Sequence, residues 1–145
     1  MVLPSVDCDC RPLVIADDNS FNLMVLEGLM LNLGVKVFKA FNGKEVCLLA
    51  EKLSKCKCRK LKGVFTDLEM PIMNGFEESI ELKKKMEIGL CKRIPIVAVS
   101  AYSDEATRQK CIDCGMNSIM IKPVYLKDLR QKLEELGIIE KSNKL

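Results

Sequence analysis

The chain contains no histidine. That removes the side chain that titrates nearest neutral pH, and with it imidazole acid–base catalysis, imidazole metal sites and any phosphohistidine formed within these residues. No apolar run comes near the roughly 20 residues that a bilayer-spanning helix needs. Met1–Arg11 lacks the basic-then-apolar order of a secretory signal, so a cytoplasmic protein is expected. Strong charge of one sign is missing too. With 23 basic and 20 acidic residues the net charge is +3, and the lysines are scattered or helical, as in Lys83, Lys84 and Lys85. A concentrated nucleic-acid surface is therefore not expected. There is no internal repeat, low-complexity segment or long linker, and 145 residues suit one domain with one core.

Cysteine, by contrast, is plentiful. The eight are Cys8, Cys10, Cys47, Cys56, Cys58, Cys91, Cys111 and Cys114, the last two in C-x-x-C spacing. Their pairs fall outside finger and ribbon patterns, and a reducing compartment disfavours disulfides, so free thiols without bound metal are expected. Cys10, Cys58, Cys91 and Cys114 each fall shortly before a predicted strand, so a parallel sheet should gather them at one end.

Short apolar runs at Leu13–Ala16, Val35–Ala40, Gly63–Thr66, Ile96–Ser100 and Ser118–Ile121 predict five strands. Helix-period segments lie between and after them, near Phe21–Leu33, Lys44–Lys55, Phe76–Met86, Asp104–Cys114 and Leu126–Leu136. Gly34, Gly115 and Gly137 follow helix ends, Asn42-Gly43 is expected as a turn, and Ser103 as the cap of the fourth helix. Leu126, Leu129, Leu133 and Leu136 form the stripe of a helix docked on a sheet. Nearly all-apolar strands alternating with helices predict a doubly wound α/β domain, a parallel sheet covered on both faces. Residues 1–11 and 138–145 are expected as flanking tails.

Ligands of such sheets bind beyond the carboxyl ends of the strands, where the strand order reverses. Those ends carry Asp17 and Asp18, Asp67, Ser100 with Ala101, and Lys122 with Pro123. Taken singly, the aspartates pass as turn or cap residues, Ser100 as a strand-end hydroxyl and Lys122 as a solvated lysine. Their joint placement at four strand ends is what points to a site. With the order 2-1-3-4-5, three carboxylates converge, repel one another and ask for a cation, and their hard oxygens favour Mg²⁺. Lys122 and Ser100 would then serve the oxygens of a phosphoryl group, leaving Asp67 as nucleophile.

In order and spacing, Val14-Ile15-Ala16-Asp17-Asp18-Asn19, Phe65-Thr66-Asp67-Leu68-Glu69-Met70-Pro71-Ile72-Met73-Asn74-Gly75, Val99-Ser100-Ala101 and Ile121-Lys122-Pro123 resemble the response-regulator receiver family. The resemblance covers residues 12–137 and implies a flavodoxin-like, five-stranded domain of two-component or phosphorelay signalling. It implies Mg²⁺-dependent phosphoryl transfer from a partner phosphohistidine, on a histidine kinase or a histidine phosphotransfer protein, to Asp67. The implied metal ligands are Asp18, Asp67 and the Glu69 carbonyl, with Asp17 in support. Ser100 and Lys122 would hold the phosphoryl oxygens, and the Lys122–Pro123 bond would be cis. Asp18-Asn19 followed by Phe21-Asn22 is most similar to receivers of hybrid histidine kinases. The family implies self-catalysed phosphorylation and dephosphorylation, with no independent enzyme activity outside a hybrid kinase.

Ile119 stands where many members place an aromatic residue that reports phosphorylation, while Tyr102 and Glu69 flank the route of an attacking water. Among rivals, a haloacid dehalogenase-like phosphatase would place its nucleophile on the first strand, and Asp67 ends the third. A flavin module would need a Ser-, Thr- and Gly-rich phosphate loop in place of Asp17-Asp18. A degenerate receiver acting only in protein interaction would lack one of the required side chains, and none is missing.

Overall fold

The computed structural model describes residues 8–141. Five strands, β1 (Leu13–Ala16), β2 (Val37–Ala40), β3 (Gly63–Asp67), β4 (Ile96–Ser100) and β5 (Ser118–Ile121), alternate with five helices. These are α1 (Ser20–Asn32), α2 (Gly43–Ser54), α3 (Gly75–Glu87), α4 (Glu105–Asp113) and α5 (Leu126–Glu135). The strands form one sheet in the order β2-β1-β3-β4-β5, every pairing parallel. This is the doubly wound, flavodoxin-like arrangement expected from the sequence.

Successive side chains of a strand point to opposite faces, so each strand feeds two cores. Val14, Ala16, Val64, Ile96 and Ala98 pack with α2, α3 and α4. Leu13, Ile15, Phe65, Val97 and Val99 pack with α1 and α5. Leu129 and Leu133 of the predicted α5 stripe are fully buried, each side chain contributing about 1.5–3 kcal/mol of burial. No described helix is long and apolar enough to cross a membrane.

Local chemistry moved several boundaries. β2 starts at Val37 rather than Val35, because Gly34 turns left-handed after α1 and the Val35 N–H donates to the Met30 carbonyl, committing that residue to the helix end. Asn42, expected in a turn, caps α2 by accepting from the Glu45 N–H, and Gly43 opens the helix. Asp104 rather than Ser103 caps α4: its carboxylate accepts from the Thr107 N–H and suits the positive helix start better than a hydroxyl. The segments expected as tails carry contacts, since Ile138 is buried in the α1/α5 core and Arg11 donates from Nη1 to the Val37 carbonyl at 2.6 Å. The four strand-preceding cysteines stand at the end where the parallel strands begin, without forming one cluster. Cys10 and Cys58 meet Cys8 and Cys56, whereas Cys91 contacts Ser54, and Cys114 donates to the Cys111 carbonyl at the end of α4.

One buried carboxyl stands out, because Glu78 of α3 is fully buried. Thr66 Oγ1 donates to its Oε1 at 2.9 Å, and its Oε2 has no partner among the described residues. Burial pushes this carboxyl well above the usual carboxylate range, the Thr66 hydrogen bond opposing the effect only in part. The folded state therefore holds a proton that the unfolded chain releases near its ordinary value. Stability from this group is full below the unfolded value and drains away as pH rises toward the folded one, by up to about 1.4 kcal/mol per pH unit. Glu78→Gln should therefore gain stability relative to wild type as pH rises above the ordinary carboxylate range, measured by urea unfolding; a constant difference would show that Glu78 is ionised in the fold.

Candidate functional site

The pairing of β1 with β3 sets Ala16 opposite Thr66, so the residues that follow leave the sheet side by side. Carboxylate oxygens of Asp17, Asp18 and Asp67 all lie within 4.8 Å of one another. Asp17 is held hardest. Its Oδ1 accepts from the Asn19 N–H at 2.9 Å, its backbone N–H donates to the Ala40 carbonyl, and its side chain is 8% exposed. Asn19 in turn caps α1 through the Phe21 and Asn22 N–H groups, which fixes the turn that presents Asp18 to solvent.

Asp67 is half-buried, with the Leu68 N–H donating to its Oδ1 at 2.8 Å. Burial raises its pKa first; Lys122 lowers it, Asp17 raises it again, and the net direction is upward. The loop after it returns tightly to α3. The Gly75 N–H donates to the Leu68 carbonyl at 2.9 Å, and a Cβ on Gly75 would collide with the Asp67 carbonyl. Within that loop Ile72 adopts φ 70°, a costly left-handed conformation for a β-branched residue.

Lys122 reaches across from the end of β5. Its Nζ lies 3.0 Å from Asp17 Oδ2 and 3.6 Å from Asp67 Oδ2, and its N–H donates to the Ser100 carbonyl. The Lys122–Pro123 bond is cis, as the resemblance implied. Ser100 is buried at the end of β4, its Oγ accepting from the Tyr102 N–H at 3.0 Å, which leaves the hydroxyl proton free to donate.

Asp18, Asp67, Glu69, Ser100 and Lys122 line one cleft of about 700 Å³, and Asp17 borders it through Lys122. All the residues expected at the site thus converge. Sequence reasoning missed Phe76, Thr107 and Lys110 on the cleft wall, with the Lys110 ammonium 5.9 Å from the Phe76 ring. They sit on helix faces, where no strand-end rule points to them. Ile119 is half-buried against the α2/α3/α4 core.

The donor set fits a hard divalent cation. Three carboxylates face one lysine, two of them are exposed or half-buried, and neither nitrogen nor sulfur is among the donors.

The chain belongs to the response-regulator receiver domain family, whose model matches residues 13–134. It is a receiver domain of two-component and phosphorelay signalling. It is 34% identical over 134 residues to the hybrid signal transduction histidine kinase E of Dictyostelium discoideum, a match covering 92% of this chain and 8% of that relative. The chain therefore spans only a small part of the curated relatives it matches. Among solved structures, the receiver domain of sensor histidine kinase PA1611 from Pseudomonas aeruginosa PAO1, with a magnesium ion coordinated in its active-site cleft, is 25% identical with a TM-score of 0.74. That match covers 88% of this chain and 98% of the other. The receiver domain of the histidine kinase CKI1 from Arabidopsis thaliana, complexed with Mg²⁺ and BeF3⁻, gives the same identity and TM-score, covering 89% and 91%.

Lys122 is the one cation among the described residues within ion-pair distance of these carboxylates. In metal-free buffer, Lys122→Met should cost about 1–3 kcal/mol near neutral pH, because it leaves half-buried like charges uncompensated. The cost should shrink in acid as Asp67, whose pKa burial raises, takes up a proton; urea unfolding across pH checks this, and a pH-independent cost would mean lost packing instead.

Proposed function

We propose that Asp67 is the phosphoacceptor and that Asp17, Asp18, Asp67 and the Glu69 carbonyl hold Mg²⁺. Convergence of the three carboxylates with Lys122 at adjacent strand ends is the observation that carries this reading. Bound Mg²⁺ would supply positive charge to the oxygens of a phosphoryl group in transfer. The Asp67 carboxylate attacks phosphorus, a P–O bond forms there, and the P–N bond to the partner's imidazole breaks. Lys122 offers an ammonium and Ser100 a hydroxyl donor to the phosphoryl oxygens, both pre-placed by their strands. With no histidine in these residues, the donor is another protein or another segment.

A surface for that donor adjoins the site. Phe21, Met24 and Val25 of α1 are exposed, and Phe21 and Val25 line a largely apolar groove of about 400 Å³ with Pro123 and Val124. Such a groove suits an amphipathic helix presenting a phosphohistidine, whether of a histidine kinase or of a histidine phosphotransfer protein. The eight free thiols suit the cytoplasm.

Incubation with acetyl phosphate and Mg²⁺ should add one phosphoryl group by intact mass, labile to hydroxylamine and absent in Asp67→Asn. Mapping of the adduct to Ser100 or Tyr102 would overturn the assignment. Mg²⁺ should also raise the melting temperature, since it relieves the carboxylate repulsion only in the fold. Asp18→Ala should weaken that rise, and an unchanged response would remove Asp18 from the ligands.

A further inference from the structure

At the opposite end of the same strand pair, two C-x-C segments meet. Cys8 and Cys10 precede β1, and Cys56 and Cys58 lie in the connection between α2 and β3. Far apart in sequence, they become neighbours because Leu13 of β1 pairs with Gly63 of β3, and the Lys62 N–H donates to the Pro12 carbonyl at 2.7 Å. All four Sγ atoms lie within 4.8 Å of one another, and all four residues are half-buried free thiols.

We propose that Cys8, Cys10, Cys56 and Cys58 form a tetrathiolate Zn²⁺ site that fastens the segment before β1 to the α2–β3 connection. A tetrahedral zinc with Zn–S bonds of about 2.3 Å separates its sulfurs by about 3.8 Å, so the four atoms need move little to close on the ion. Four sulfurs and no oxygen or nitrogen donor select a thiophilic cation over Mg²⁺. Cys8 and Cys10, separated by one residue before β1, bring their sulfurs into the same cluster.

The second pair is set by a built turn. The Arg59 N–H donates to the Cys56 carbonyl at 3.4 Å, Arg59 itself adopts φ 56°, and Lys92 Nζ donates to the Arg59 and Leu61 carbonyls at 2.9 Å each. Charge agrees as well: four thiolates around a divalent ion leave two negative charges, and Lys55, Lys57, Arg59, Lys60 and Lys62 crowd the same stretch. Spacing within either C-x-C segment matches no finger or ribbon, and it is the parallel pairing of β1 with β3 that joins the two segments into a set of four sulfur donors.

The test is metal analysis of the full chain, expressed in zinc-supplemented medium and purified without chelator. About one zinc per chain is expected, falling below about a tenth in Cys56→Ser/Cys58→Ser and unchanged in Cys111→Ser/Cys114→Ser. Should the first variant fold poorly, Cys8→Ser/Cys10→Ser, outside every strand and helix, should lose the metal equally. Refilling apo protein with Co²⁺ should give thiolate-to-metal charge-transfer absorption. Phosphorylation of Asp67 gives an independent readout and should survive zinc loss. Three results would overturn the site: no zinc bound by fully reduced protein, zinc retained after loss of either cysteine pair, or a disulfide among these four when thiols are trapped at lysis.

Discussion

Repulsion among Asp17, Asp18 and Asp67 is the constraint around which the acidic end of this domain is organised. Three carboxylates within 4.8 Å would push apart if they stood on loops free to move. They are held because β1 and β3 are neighbours in the middle of the sheet, buried on both faces, with Ala16 and Thr66 in fixed register. Lys122, delivered by β5 across β4, offsets part of the charge and leaves a net negative pocket. Repulsion that the fold cannot relax is what makes a cation and a phosphoryl group welcome there. The packed sheet thus does for the site what flexible ligands could not.

The strands were legible because a sheet covered on both faces demands continuous apolar runs, and Leu13–Ala16, Ile96–Ser100 and Ser118–Ile121 met that demand to the residue. Boundaries set by hydrogen bonds of single residues were not. Val35 is as apolar as Val37, yet its N–H belongs to the end of α1. Ser103 and Asp104 are both good caps, and it is Asp104 whose carboxylate meets the Thr107 N–H and hydroxyl. The site was legible for a different reason: its residues end strands or follow them, so chain order alone lists them. Glu78 shows the limit. Among Glu77, Glu81 and several lysines it reads as one more charge on an exposed helix face, and only the burial of α3 against the sheet turns it inward toward Thr66.

That pair links the site to its scaffold. Thr66 immediately precedes Asp67, and its hydroxyl lies 3.0 Å from the Asp67 carbonyl and 2.9 Å from Glu78 Oε1. The Asp67 carbonyl also leaves no room for a side chain at Gly75, the first residue of the same helix. The backbone of Asp67 is therefore clamped between a buried polar contact and a close backbone approach, both supplied by α3. A neutral Glu78 is the form that this arrangement tolerates, because an ionised one would add a fourth negative charge behind the site with one oxygen unpartnered.

The β1–β3 pairing has two ends, and their chemistries are kept apart by its length. β1 is four residues long, about 13 Å of strand, and the carboxylate and cysteine clusters lie beyond its two ends. Among the described residues, three carboxylates make up the cluster at one end and four cysteines the cluster at the other. Ligand softness then sorts the ions: Mg²⁺ gains little from thiolates, and Zn²⁺ gains more from four thiolates than from carboxylates that water can replace. An ion at the cysteine end is too far away to touch a phosphoryl group, so its influence is confined to holding the start of β1 against the start of β3. Since the register of those two strands aligns the three carboxylates, a clasp at one end and a charge cluster at the other act on the same structural variable.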